Sequence, residues 1–147
     1  MKSYLTEQES FWAGDFGDEY SLRNTGSQLL ASKINLFAKA ISKTQSVQTI
    51  IEFGPNRGLN LQALRRLLPD AAMSGIEINP TAAHKLQELG GVEVYHQSIL
   101  DWQCDKYFDL VLISGVLIHT NPEVLDTFYR ALYTTSLRYI LLIEYYN

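Results

Sequence analysis

Residues 49–58, TIIEFGPNRG, decide how this chain folds. Thr49–Phe53 is a short, β-branched run without apolar–polar alternation, the pattern of a strand buried on both faces. It breaks into a loop with Gly54 and Gly58, where the backbone can turn sharply and approach a ligand closely. Leu61, Leu64, Leu67 and Leu68 then recur at helical spacing until Pro69 stops the helix. Strand, glycine loop and helix in that order open a parallel α/β unit. The loop by itself suits a plain turn as well as a nucleotide site.

The same alternation extends outward. Upstream, Leu30, Ile34, Phe37 and Ile41 place an amphipathic helix over 27–42. Downstream, Met73–Ile78 reads as a second strand. Asn79 and Pro80 supply an N-cap and a first helical residue, and the helix they start ends at Gly90-Gly91. Val92–His96 and Phe108–Ile113 read as strands three and four. Asn121-Pro122-Glu123 starts a helix with Leu125, Tyr129 and Leu132 on one face, and Tyr139–Glu144 is a fifth strand. The order α-β-α-β-α-β-β-α-β requires parallel strands with helices on both faces, a doubly wound α/β sheet. Such sheets bind ligands beyond the carboxyl ends of their strands, at the switch in strand order. Residues 1–26 carry Phe11, Trp12, Phe16 and Tyr20 among acids, with Gly14, Gly17 and Gly26, and read as an irregular flap before a single domain over 27–147.

Bulk properties narrow the function. The chain has 147 residues, 46% hydrophobic and 19% charged, with a net charge of −4 and no basic stripe. Nucleic acid and membrane are therefore not expected partners. One cysteine, Cys104, allows neither an intrachain disulfide nor a metal site with several thiolates, and no metal is expected. The first ten residues contain no apolar signal core, and the longest apolar stretch, 110–118, is too short to span a bilayer. A cytoplasmic address is expected.

The strand ends carry the chemistry. Glu77, at the end of the second strand, can accept hydrogen bonds from both hydroxyls of a ribose; a solvated strand-end carboxylate is the plain alternative. After the third strand, a polar side chain and a backbone N–H within Gln97-Ser98-Ile99-Leu100-Asp101 can read a base edge while Ile99 or Leu100 packs on the ring. After the fourth, Ser114-Gly115-Val116 would lie across a bound cofactor from the glycine loop.

EFGPNRG, GIEIN, HQSILDW and FDLVLISGVLIHT resemble the successive motifs of class I S-adenosylmethionine-dependent methyltransferases, from about Thr49 onward. The opening TEQESFWAGDFGDEYSLRN, with EFGPNRGLNL, is similar to a narrower group, the methyltransferases associated with pseudaminic acid biosynthesis. The resemblance implies a Rossmann-like core with S-adenosylmethionine as cofactor. It implies that Glu52 holds the glycine loop and, with Gly54, Pro55, Asn56 and Gly58, faces the methionine end. Glu77 and Ile78 would take the ribose, Ser98 and Ile99 the adenine, and Ser114 the sulfonium side. The acceptor it implies is a small molecule, a sugar or sugar nucleotide of surface-glycan biosynthesis; the methylated atom (O, N or C) is left open.

Two positions depart from the family pattern. Asn56 stands for the middle glycine of the loop, and the usual adenine-side aspartate is Ser98 or is displaced to Asp101. A dinucleotide-dependent oxidoreductase is the rival enzyme, but its G-x-G-x-x-G fingerprint is broken by Pro55, Asn56 and Leu59. A non-catalytic adenosyl-binding module is the other alternative.

For a hydroxyl acceptor, His119 is the candidate general base; a structural histidine is equally compatible with the sequence. The flap is expected to close as a lid, with Trp12, Phe16 and Tyr20 against the sulfonium and Asp15 or Arg23 contacting acceptor or carboxylate, although the aromatics could equally anchor the segment on the core. The family sheet continues for two strands beyond the fifth, so the sequence reads as short at its C-terminus. YILLIEYY is then an apolar edge expected to drive homodimerisation.

Overall fold

Five parallel strands form one sheet, described in a computed structural model over residues 4–23 and 26–145. β1 (Thr49–Phe53) lies at its centre, between β2 (Ala72–Ile76) and β4 (Phe108–Ser114), with β3 (Val92–Tyr95) and β5 (Ser136–Ile143) at the edges. The chain builds outward through β1, β2 and β3, then crosses back to lay β4 against the other side of β1. The strand order therefore switches between β1 and β4, where a crevice opens at the carboxyl ends.

Helices α3 (Ser27–Ile41), α4 (Leu59–Leu67), α5 (Pro80–Leu89) and α6 (Leu125–Thr135) accompany the sheet. Alternate residues of the central strands enter two separate cores. Ile50, Leu110 and Leu112 pack with Phe37, Leu61, Leu64 and Leu86, whereas Ile51, Phe53, Val111 and Ile113 pack with Phe128 and Leu132. Both faces are covered, which is why these strands read as continuous apolar runs.

Ahead of the core, residues 7–13 and 15–23 are helical, not an irregular flap; residues 1–3 and 24–25 of the expected flap lie outside the described residues. α1 (Glu7–Ala13) starts at Thr6 with a capping box in which Thr6 Oγ1 accepts from the Glu9 amide and the Glu9 carboxylate accepts from the Thr6 amide. α2 (Asp15–Arg23) follows at once, with Asp15 and Asp18 in its first turn and Arg23 in its last, the polarity a helix dipole favours.

Other boundaries also move. β2 ends at Ile76, so Glu77 and Ile78 lie beyond the ladder. Asn121 caps a 3₁₀ turn (Pro122–Val124), and α6 begins only at Leu125. The buried face of α6 is Phe128, Ala131, Leu132 and Thr135; Tyr129 points outward, 48% exposed. α6 runs directly into β5, which starts at Ser136, ahead of the expected Tyr139.

Candidate functional site

A cleft of about 240 Å³ opens at the carboxyl ends of β1, β2 and β4. Residues 54–57 form its floor, Glu77–Asn79 and 97–100 one side, and 114–116 the other; α1 and α2 cover it with Glu9, Trp12 and Tyr20.

The floor is a closed hydrogen-bonded turn. Gly54 has φ +75°, and a Cβ there would lie 2.8 Å from Val116 Cγ2, so glycine is required on both counts. Asn56 sits at φ +53°, the left-handed region that asparagine tolerates better than most residues. This explains how it replaces the expected glycine. The backbone amides of the loop are all engaged within the protein. Gly54 donates to Ile76 O at 2.9 Å, Asn56 to Glu77 Oε2 at 2.7 Å, Arg57 to Asn56 Oδ1 at 2.8 Å and Gly58 to Pro55 O at 2.9 Å. Pro55 has no N–H to give.

Glu77 is 6% exposed and lines the cleft. Its two oxygens accept from the amides of Asn56 and Asn79, at 2.7 and 2.8 Å. Burial pushes its carboxyl above the ordinary value, while these amides oppose the shift by favouring the anion. The Ile78 amide acts on it in the same sense, and a carboxylate, with about four lone-pair sites, retains capacity beyond three donors.

Glu52 is fully buried beneath the floor and is absent from the cleft wall. Asn60 Nδ2 donates to its Oε1 at 2.6 Å. Burial raises its carboxyl to about 7, against the opposing pull of Asn60 and of Lys33 on α3. Gly58, also expected to face the ligand, instead faces α5: a Cβ there would lie 2.5 Å from Leu86 Cδ1.

On the side formed after β3, Ser98 is buried and Asp101 is exposed and outside the wall. The Ser98 hydroxyl donates to Glu9 Oε1 and accepts from the Leu100 amide. Ile78, Ile99 and Leu100 supply the apolar wall beside it.

The N-terminal helices are locked to the core by Asn79. Its Oδ1 caps α5 by accepting from the Ala82 amide at 2.7 Å, and its Nδ2 donates to Trp12 O and Asp18 Oδ1, both at 3.1 Å. Trp12 packs edge-on against Phe16 and Tyr20, with centroids 5.3 and 5.2 Å away, and lies 5.2 Å from the His119 ring. His119 sits in a 3₁₀ turn (Leu117–His119) whose approach is fixed by Glu144, the acceptor for the amides of Val116 and Leu117.

Of the residues expected here, Gly54, Pro55, Asn56, Glu77, Ile78, Ser98, Ile99, Ser114, Trp12, Tyr20 and His119 line one cleft. Glu52, Gly58, Asp15, Phe16 and Arg23 do not. Sequence reasoning missed Glu9, Lys33, Asn60 and the lock at Asn79, although Thr6-x-x-Glu9 is a legible capping box. Among the described residues no group of three or more His, Cys, Asp and Glu is placed to hold a metal ion, and no helix is long and apolar enough to cross a membrane.

No protein-family profile matches the chain, and no curated protein does. Solved structures do match. The sugar N-methyltransferase KedS8 from Streptoalloteichus aligns with TM-score 0.73 at 14% identity, over 100% of this chain and 58% of that one. The amino pentose methyltransferase CalS10 from Micromonospora echinaspora, solved with S-adenosylmethionine, aligns with TM-score 0.72 at 12% identity over 99% and 59%. The plantazolicin methyltransferase BpumL, solved with S-adenosylhomocysteine, aligns with TM-score 0.66 at 16% identity over 88% and 52%. The chain thus spans a little over half the length of these structures and has the Rossmann-like fold of class I methyltransferases.

Proposed function

We propose that this chain binds S-adenosylmethionine in the cleft and transfers the methyl group to a small acceptor, a sugar or sugar nucleotide. The observation that carries the reading is the floor loop, whose amides are all engaged within the protein. A dinucleotide pyrophosphate draws on free amides of such a loop as well as on the following helix N-terminus; with the loop amides turned to internal acceptors, a cofactor without phosphates suits this floor better. The groups that do face the cleft suit an adenosyl ligand: carboxylate lone pairs at Glu77 for ribose hydroxyls, and apolar walls at Ile78, Ile99 and Leu100 for a base.

When bound, S-adenosylmethionine supplies an electrophilic methyl on a sulfonium. The chain's own contribution is positioning. Trp12 and Tyr20 close the cleft from α1 and α2 and exclude water. His119, beside Trp12, takes the proton of a hydroxyl acceptor at a ring nitrogen. The sugar acceptor is supported by the sugar methyltransferases among the structural neighbours and by the likeness of the opening segment to the pseudaminic acid-associated group.

Calorimetric titration with S-adenosylhomocysteine, with NADH in parallel, tests the cofactor. Binding of the former alone is expected. Glu77→Ala should weaken it by about a hundredfold or more, the loss of two hydrogen bonds to a charged group. Binding of NADH alone, or of neither, overturns the reading. Conversion of S-adenosylmethionine in the presence of sugar nucleotides then separates an enzyme from a non-catalytic adenosyl-binding module, and His119→Asn should slow that conversion without changing S-adenosylhomocysteine affinity.

A further inference from the structure

Glu9 reaches the cleft from α1, outside the doubly wound core, and its two oxygens do different work. Oε2 accepts from the amides of Leu5 and Thr6, at 2.6 and 2.9 Å, and so closes the start of α1. Oε1 accepts from the buried Ser98 hydroxyl, and Glu9 is one of the residues that line the cleft. Ser98 is already engaged as donor to Glu9 and as acceptor from Leu100. The loop after β3 brings no carboxylate of its own to the wall, since Asp101 is exposed and lies outside it. The charged acceptor at this corner is therefore Glu9, next to the apolar side chains of Ile78, Ile99 and Leu100. An apolar slot closed by a carboxylate selects a flat ring that presents an exocyclic amino group to that carboxylate, because a ring presenting a carbonyl at the same position would set acceptor against acceptor.

We propose that Glu9 is the specificity residue for the cofactor's base, accepting a hydrogen bond from its exocyclic amino group; this rests on the adenosyl reading above. The same carboxylate caps α1, so base recognition and the ordering of the N-terminal helices share one side chain.

The test is calorimetric titration of the full chain and of Glu9→Gln with S-adenosylhomocysteine and with S-inosylhomocysteine, in which a 6-oxo group replaces the 6-amino group and the adjacent N1 carries a proton, so that only a carboxylate aimed at the exocyclic group discriminates between them. Glutamine also completes a capping box, and its amide can present either an oxygen or an N–H to the base. The wild type is expected to prefer the adenosyl ligand by about tenfold or more, the worth of one hydrogen bond to a charged group. In Glu9→Gln the preference should fall to within about threefold while S-inosylhomocysteine affinity is kept or gained, which also shows that the variant is folded. A wild type that binds both ligands equally, or a preference unchanged in Glu9→Gln, overturns the assignment of Glu9 alone. A wild type that binds neither overturns the adenosyl reading and this assignment with it.

Discussion

Asn60 Nδ2 donates to Glu52 Oε1 at 2.6 Å, while the other oxygens of the same two side chains, Glu52 Oε2 and Asn60 Oδ1, are buried without a partner. Both are acceptors buried with no donor. A proton on Glu52 Oε2 supplies that donor, and the carboxyl's shift to about 7 by burial means that the folded protein retains this proton at pH values where the unfolded chain has lost it. The pair sits under the loop that floors the cleft, so its protonation bears on the stability of the site.

A carboxyl raised from 4.5 to about 7 on folding favours the native state most fully below pH 4.5. That contribution declines as pH rises through the window and is gone above about 7. The difference across the window is about 3 kcal/mol, at 1.36 kcal/mol per pKa unit. Glu52→Gln is neutral throughout and can donate to Asn60 Oδ1. Urea unfolding from pH 4 to 9 should show the variant gaining on the wild type by about that amount as pH rises. Parallel stability curves for the two proteins would show that Glu52 is ionised in the native state across the window.

Asn79→Asp separates two tasks of one side chain. The carboxylate still accepts from the Ala82 amide, and aspartate is as good an N-cap as asparagine. It cannot donate, so the bonds to Trp12 O and Asp18 Oδ1 become acceptor-to-acceptor contacts. Thermal stability of the core should change little. Amide exchange over residues 7–23 should accelerate, and S-adenosylhomocysteine affinity should fall. Exchange at the wild-type rate would mean that the N-terminal helices are held by their aromatic packing instead.

Gly17→Ala attacks the same junction sterically. A Cβ at Gly17 would lie 2.0 Å from Trp12 O and 2.8 Å from Asn79 Nδ2, and a backbone carbonyl cannot rotate away as a side chain can. The gain in helix propensity of about 1 kcal/mol is smaller than the strain of such a contact. The variant should therefore open α2 to proteolysis and weaken S-adenosylhomocysteine binding, leaving the sheet folded. If the N-terminal helices do act as a lid, turnover should fall further than affinity. Undiminished affinity and turnover would remove α1 and α2 from the functional site.

Much of this arrangement was legible because burial on both sheet faces imposes its own pattern. Thr49–Phe53 and 108–113 announce central strands, and Asn79-Pro80 announces a capped helix, from local chemistry alone. What failed was long-range. Glu52 and Gly58 belong to the glycine-loop motif, yet the first points into the core toward Asn60 and the second toward Leu86, which no spacing within the motif reveals. The Glu9–Ser98 contact joins residues far apart in sequence and depends on where α1 docks. The aromatics and glycines of residues 11–20 masked two helices whose evidence lay in a capping box and charge placement rather than in an apolar stripe.

β5 pairs only with β4 among the described strands, and Leu137, Ile140 and Leu142 stand 60%, 41% and 49% exposed along it. An apolar edge strand with unpaired backbone groups on its outer side is a template for another strand. Tyr133 on α6, at 76% exposed, adds apolar surface nearby. A second copy paired along β5 would satisfy the outer backbone groups of both strands, forming a symmetric dimer. Sedimentation equilibrium should therefore show mass rising with concentration toward a dimer or beyond. Ile140→Lys together with Leu142→Lys, on the exposed side of the strand, should hold the protein monomeric with its fold intact. A wild type that stays monomeric at high concentration removes β5 as a self-association edge.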